Sequence, residues 1–261
     1  MFITIINDCR DANAAGRQAS RASSLFGFPA TFIGVGNDLE AAGNLIDVLD
    51  AGEGREGIIL VNVAPRHGQA KKWPNGSPFG YFWYQKTLII ASIDRFTLSL
   101  AKKLRVTDEV EILDLAEVVD VMIQKHFLPD HLRDTIVNSQ FRSYEFLPRL
   151  AQLLLMGKRI PSQNYSMEKI LDAPKAIWLV DNFGNCKTTL LPEDIAFGVG
   201  KTISTKEGVF PTYARLKDVP DGKTAMVIGS SGLEEKRFLE IVIQGVSAAE
   251  HFGLSSGTII F

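Results

Sequence analysis

Cysteine is almost absent: Cys9 and Cys186 are the only two in 261 residues, and neither lies in a CxxC or comparable spacing. That excludes a disulfide scaffold and a cysteine-ligated zinc module. Long apolar runs are also missing. The longest, residues 57–63 and 87–93, fall far short of the roughly 20 residues that span a bilayer, so no transmembrane helix is expected. Charge of one sign is not in excess. Lys plus Arg total 28 and Asp plus Glu 30, a net charge of −2 without a basic tail or acidic block, which argues against nucleic-acid binding through bulk charge. The first residues, Met1-Phe2-Ile3-Thr4-Ile5-Ile6-Asn7-Asp8, have no basic segment ahead of the apolar run. They read as a strand rather than a signal peptide, and a cytoplasmic protein is expected.

What is present is an ordinary globular composition, 46% apolar and 22% charged, over a length that suits two domains. In the first half, apolar runs at 2–6, 28–36 and 57–63 alternate with helical stretches at 11–26 and 38–51. Alternation of this kind predicts a mainly parallel sheet flanked by helices. A strand pair is expected at 81–85 and 87–92, a helix at 94–104, a strand at 110–113, and helices near 116–126, 130–138 and 144–156. From about Ser162 the pattern becomes short β-rich segments (175–180, 187–191, 225–228, 238–243 and 258–261) separated by Gly, Pro, Asn and Ser. The expected fold class is therefore α/β: an N-terminal, mainly parallel α/β domain over 1–160 and a smaller C-terminal all-β barrel over 161–261. In an open α/β sheet, ligands bind beyond the carboxyl ends of the strands, which singles out the loops at 7–13 and 64–72.

Several familiar motifs fail on inspection. Gly34-Val35-Gly36 lacks the third glycine of a dinucleotide fingerprint, because Leu39 stands there. Gly200-Lys201-Thr202 and Gly222-Lys223-Thr224 end like phosphate loops, but Ile195 and Lys217 occupy the place of the first glycine. His126 and His131 are five residues apart and would not share a helix face, so no metal site is expected. Two constellations remain. Asp8-Cys9-Arg10-Asp11-Ala12-Asn13 ends the first strand, where carboxylates suit either the hydroxyls of a ribose or the cap of the next helix. Asp181-Asn182-Phe183-Gly184-Asn185 follows an apolar strand and reads as a hairpin turn or a ligand-facing one.

Taken in order, these pieces resemble the S-adenosylmethionine hydroxide adenosyltransferases and their fluorinase and chlorinase relatives. The resemblance rests on Asp8 and Asp11 after the first strand, Phe28-Pro29-Ala30-Thr31-Phe32-Ile33 as the second, and Val63-Ala64-Pro65-Arg66-His67-Gly68 after the third. It continues with Ile93-Asp94-Arg95-Phe96, the Phe141 to Pro148 segment and, most specifically, Asp181-x-Phe183-Gly184-Asn185. Gly229-Ser230-Ser231-Gly232 and Val246-Ser247-Ala248-Ala249 resemble later ligand-facing turns. The resemblance implies S-adenosylmethionine as substrate or ligand, with no separate cofactor, and attack at the ribose C5′ that expels methionine. It also implies a homotrimer with the site between one subunit's first domain and a neighbour's second. Asp8, Asp11 and Asn13 would serve the ribose, Phe183 would stack on adenine, and Asp181, Asn185, Ser230, Ser231 and Ala248 would hold the adenine edge or the methionine moiety.

The loop after the third strand departs from the pattern. Ala64 stands where the hydrolytic branch has an aspartate, Lys71 where it has an arginine, and Phe141 or Arg142 where it has a histidine. Arg66, His67 and Lys71 form the remaining candidate catalytic set, with His67 as the base because an imidazole titrates near neutral pH. Two readings follow: a hydrolase giving adenosine and methionine, or an adenosyl-binding or structural protein that has lost the chemistry.

Overall fold

A computed structural model describes residues 1–64 and 76–261. The chain divides into two compact units, Met1–Leu171 and Asp172–Phe261.

The first unit is built on a seven-stranded sheet of order β2-β1-β3-β5-β4-β6-β7. Its strands are β1 (Phe2–Asn7), β2 (Ala30–Gly34), β3 (Gly57–Asn62), β4 (Phe79–Tyr84), β5 (Thr87–Ser92), β6 (Glu109–Leu113) and β7 (Gln163–Ser166). β2, β1, β3 and β5 run parallel, while β4, β6 and β7 add antiparallel strands to one side. β3 (GIILVN) is buried along its first five residues, as its near-continuous apolar run requires of a strand covered on both faces. On one face Ile3, Ile5, Ile58, Leu60, Leu88 and Ile90 share a core with α1 (Ala12–Phe26), α4 (Leu115–Gln124), α5 (Arg133–Val137) and α7 (Leu147–Leu155). α2 (Asp38–Gly52) packs on β1, β3 and α3 (Ser99–Leu104).

The helix boundaries follow local chemistry. Asp11 caps α1 by accepting from Ala14 N–H, and Asn37 caps α2 by accepting from Leu39 and Glu40 N–H. The helix expected over 94–104 begins only at Ser99, because Arg95 takes a left-handed φ of 54° and the Thr97 hydroxyl bonds back to the Asp94 carbonyl. The helix expected over 144–156 is two, α6 (Arg142–Glu145) and α7. Pro148, which has no N–H to donate, stands in the first turn of α7, where none is needed. β7, which lies past the change of pattern at Ser162, pairs with β6 and so belongs to the first sheet.

The second unit holds a six-stranded sheet of order β10-β11-β12-β13-β9-β8. Its strands are β8 (Ile177–Val180), β9 (Cys186–Thr188), β10 (Thr202–Thr205), β11 (Gly208–Tyr213), β12 (Thr224–Leu233) and β13 (Lys236–Ile243), followed by α8 (Ala248–Phe252). Residues 258–261, expected as a strand, make a single bridge, Ala176 to Ile259. The chain end still serves both edges of the sheet: Ile260 N–H donates to the Lys175 carbonyl beside β8, and its carbonyl accepts from Lys206 N–H beside β10. Ile177, Phe210, Met226, Leu239, Ile241 and Ile260 fill the core. This is a mixed α/β chain with a parallel-rich N-terminal sheet and a smaller C-terminal β unit, the class the sequence predicts.

Candidate functional site

In the first unit the chain passes from β1 to β2 on one side and then to β3 on the other, so the carboxyl ends of β1 and β3 border the crevice where open α/β sheets bind ligands. Asn7, the last residue of β1, is fully buried; its Nδ2 donates to Gln18 Oε1 at 2.9 Å and its Oδ1 accepts from Cys9 N–H at 2.8 Å. That pair of bonds fixes the turn presenting Asp8. The half-buried Asp8 donates its N–H to the Asn62 carbonyl at 3.3 Å, and its Oδ2 accepts from Ala64 N–H at 3.2 Å, so the residue ties the end of β1 to the end of β3. Ser92, ending β5, joins them by accepting from Val63 N–H, and Asp94 just beyond it is buried.

Of the other predicted residues in this half, Asp11 is exposed and acts as the α1 cap, which answers the helix-capping alternative raised by the sequence. Asn13 lies on the exposed first turn of α1, beside a shallow groove shared with Arg17, Arg21 and Tyr144. Arg66, His67 and Lys71 lie outside the described residues. Among the described residues no cluster of three or more His, Cys, Asp and Glu side chains is arranged to hold a metal ion.

In the second unit Asp181 knits its own turn. Its Oδ1 accepts from the N–H of Phe183 and of Asn185, both at 2.9 Å, and its Oδ2 accepts from Asn185 Nδ2 at 3.0 Å. Backbone bonds from Asp181 N–H to the Asn185 carbonyl and from Gly184 N–H to the Asp181 carbonyl close the loop. Gly184 has φ of 83°, and a Cβ there would collide with Ser247 Oγ, so both its conformation and its contact demand glycine. The Gly184 carbonyl accepts from Ala249 N–H, which pins the turn to the start of α8, where Ser247 caps and Ala248 is buried. The Phe183 ring is 72% exposed. It borders a groove of about 410 Å³ whose apolar walls are Leu216, Ile243 and Val246, with Asn185 and Ser247 as polar members.

The structure thus gathers Asp181, Phe183, Asn185 and Ala248 at one corner. Ser231 lies elsewhere on the sheet: it is buried on β12 and accepts from Lys187 Nζ at 2.6 Å, while the lysine also stands over the Trp178 ring. Ser230 is exposed beside it, in a bulge where pairing shifts between Ile228 and Gly232. Burial, with the charges of Asp181 and Glu240 adding, pushes the Cys186 thiol up to about 12, so this cysteine is a packed apolar side chain rather than a nucleophile. Sequence reasoning missed Ser92, and it passed over Asn7 and Ser247 within stretches it did single out, without seeing that one holds the Asp8 turn and the other caps α8. Ser247-Ala248-Ala249-Glu250 has the Ser-x-x-Glu form that opens a helix, and that signal would have found α8.

Comparison with known proteins bears on this second corner most directly. Residues 175–261, a third of the chain, match the model of the SAM hydroxide adenosyltransferase C-terminal domain. No curated protein matches the chain. Two solved structures share the fold. An uncharacterized conserved protein from Thermotoga maritima has a TM-score of 0.68 at 14% identity, covering 100% of both chains. A conserved hypothetical protein from Thermus thermophilus has a TM-score of 0.54 at 16% identity, covering 100% of this chain and 99% of that one. The matched stretch contains the Asp181 turn, the groove beside Phe183 and α8, and the match supports the family assignment that the sequence suggests.

Proposed function

We propose that this chain binds S-adenosylmethionine through its adenosyl group and hydrolyses it at C5′, giving adenosine and methionine. The observation that carries the reading is the Asp181 turn, which holds the exposed Phe183 ring at the border of an apolar groove. An exposed ring over such a groove is a stacking platform for a flat purine. Asn185 and Ser247 supply polar atoms for the edge of the base. Asp8, fixed at the end of β1, offers a carboxylate to the ribose hydroxyls, and Asp11 and Asn13 follow it at the start of α1.

The chemistry asks little of a general acid. Water oxygen bonds to C5′, the C5′–S bond breaks with its electron pair passing to sulfur, and methionine leaves as a neutral thioether. The protein must align the water with the breaking bond and accept one proton from it. His67 is the proposed acceptor, and Arg66 and Lys71 are its proposed neighbours. Cations at that loop would oppose a sulfonium electrostatically. Assembly as a homotrimer, with the site completed by a neighbouring subunit, belongs to the same proposal.

A second reading keeps the ligand and drops the reaction. It is favoured by Ala64, whose N–H serves Asp8 but whose methyl offers no base where hydrolytic relatives carry a carboxylate. Incubation of the full chain with S-adenosylmethionine, followed by chromatography for adenosine and methionine, separates the two. Equimolar products above the buffer rate support hydrolysis. Saturable binding without products supports the second reading, and the absence of both binding and products defeats both.

A further inference from the structure

Arg142, at the start of α6, is one of the two residues that stand where hydrolytic relatives carry a histidine, and it has a setting that the proposed catalytic set of Arg66, His67 and Lys71 does not use. Its guanidinium lies in the first unit against the segment that enters β4. Nη1 donates to the Ser77 carbonyl at 3.0 Å, and the Phe79 ring centroid lies 4.8 Å from the group. Gly76, at a φ of 74°, leaves room for the approach, since a Cβ there would collide with Nη2. The fork is thus held on three sides before any ligand arrives. Phe79 pairs with Ser92, and Ser92 Oγ receives Val63 N–H, so this cradle stands at the same carboxyl edge of β3 and β5 where the crevice opens.

What the cradle lacks, among the described residues, is an acid. Burial alone lowers the Arg142 pKa from its ordinary value, and no carboxylate there acts in the other direction. The acid nearest in sequence, Glu145, is already shared by Arg21 at 3.5 Å and Arg149 at 3.0 Å. The stretch 65–75, outside the described residues, cannot supply one either, because Pro-Arg-His-Gly-Gln-Ala-Lys-Lys-Trp-Pro-Asn contains no Asp or Glu. A half-buried guanidinium without a counter-ion is costly to keep, and a planar fork of N–H donors matches an oxyanion. We infer that Arg142 is an anion-binding residue, taking a carboxylate or phosphoryl oxyanion at the carboxyl edge of the β3–β5 part of the sheet.

The inference stands apart from the adenosyl reading, and its test keeps the two apart. Calorimetric titrations of the full chain use inorganic phosphate, L-methionine and adenosine as separate probes, on wild type, Arg142→Met and Arg142→Lys. Phosphate or methionine is expected to bind wild type, to lose at least tenfold in Arg142→Met and to recover partly in Arg142→Lys, with adenosine binding unchanged throughout. Binding of phosphate alone identifies a phosphoryl site, and binding of methionine identifies a carboxylate site. Thermal melts add a readout that a structural arginine would move in the opposite way: Arg142→Met is expected to melt no lower than wild type without ligand, and to lose the stabilisation that the anion gives. The inference is overturned if neither anion binds wild type, if Arg142→Met binds them equally well, or if Arg142→Met melts lower while anion binding is unmoved.

Discussion

Phe183→Ala removes the proposed stacking surface and almost nothing else. The ring is 72% exposed, and the turn beneath it is held by Asp181 through backbone N–H groups that alanine retains. Truncation at such a surface position changes folding free energy by about 0.5 kcal/mol or less. For a unit of this size that is a shift of roughly 2–4 °C at most. Stacking of a base on an aromatic side chain, by contrast, contributes about 1–3 kcal/mol. Since about 1.4 kcal/mol is a factor of ten, adenosine and S-adenosylmethionine should each bind roughly 5- to 150-fold more weakly to Phe183→Ala, with Phe183→Trp close to wild type. Isothermal titration on the intact chain, alongside a melt, reads both quantities. A Kd within twofold of wild type in Phe183→Ala, with the melt unchanged, would show that the exposed ring has no part in holding the base.

Four further outcomes follow from the geometry. Gly184→Ala must adopt a left-handed φ of 83° and push its Cβ into Ser247; a loss of about 2 kcal/mol in the second unit is expected, seen as a lower melting transition and weaker adenosine binding together. Asn7→Ala strands the buried Gln18 amide and unties the Asp8 turn, so a denaturant titration should show the first unit destabilised by about 1–3 kcal/mol. Cys186 keeps its proton in the native state up to about 12, whereas the unfolded thiol loses it near 9.0, so its contribution is fully present below pH 9 and declines as pH rises from there. The stability of Cys186→Ala should fall less steeply over that alkaline range. In the native protein, iodoacetamide should label half-exposed Cys9 well before buried Cys186.

The sequence carried the scaffold well wherever one force dominated. The run 57–63 is apolar because β3 is covered on both faces, and the alternation of strand and helix that surrounds it determined the parallel order. It carried less where backbone geometry overrode composition. Arg95 at positive φ delays α3, and Phe146 interrupts what periodicity reads as one helix before Pro148 opens α7. β10 and β11 were illegible because their short, polar and proline-bearing stretches form strands only by pairing with each other and with β12. At the site, the Asp-x-Phe-Gly-Asn spacing was legible, since a single carboxylate bonding to two backbone N–H groups and one side-chain amide leaves a local trace. The buried Asn7–Gln18 pair and the Arg142 cradle left none: each joins residues 11 or 65 positions apart and depends on the sheet to bring them together.

Whether this chain takes an adenosyl ligand is decided by titrating the intact wild-type protein with S-adenosylmethionine and with adenosine. Saturable binding of both, competitive with one another, is expected. Absence of binding for every adenosyl compound by folded protein, at concentrations up to the millimolar range, would defeat the adenosyl reading.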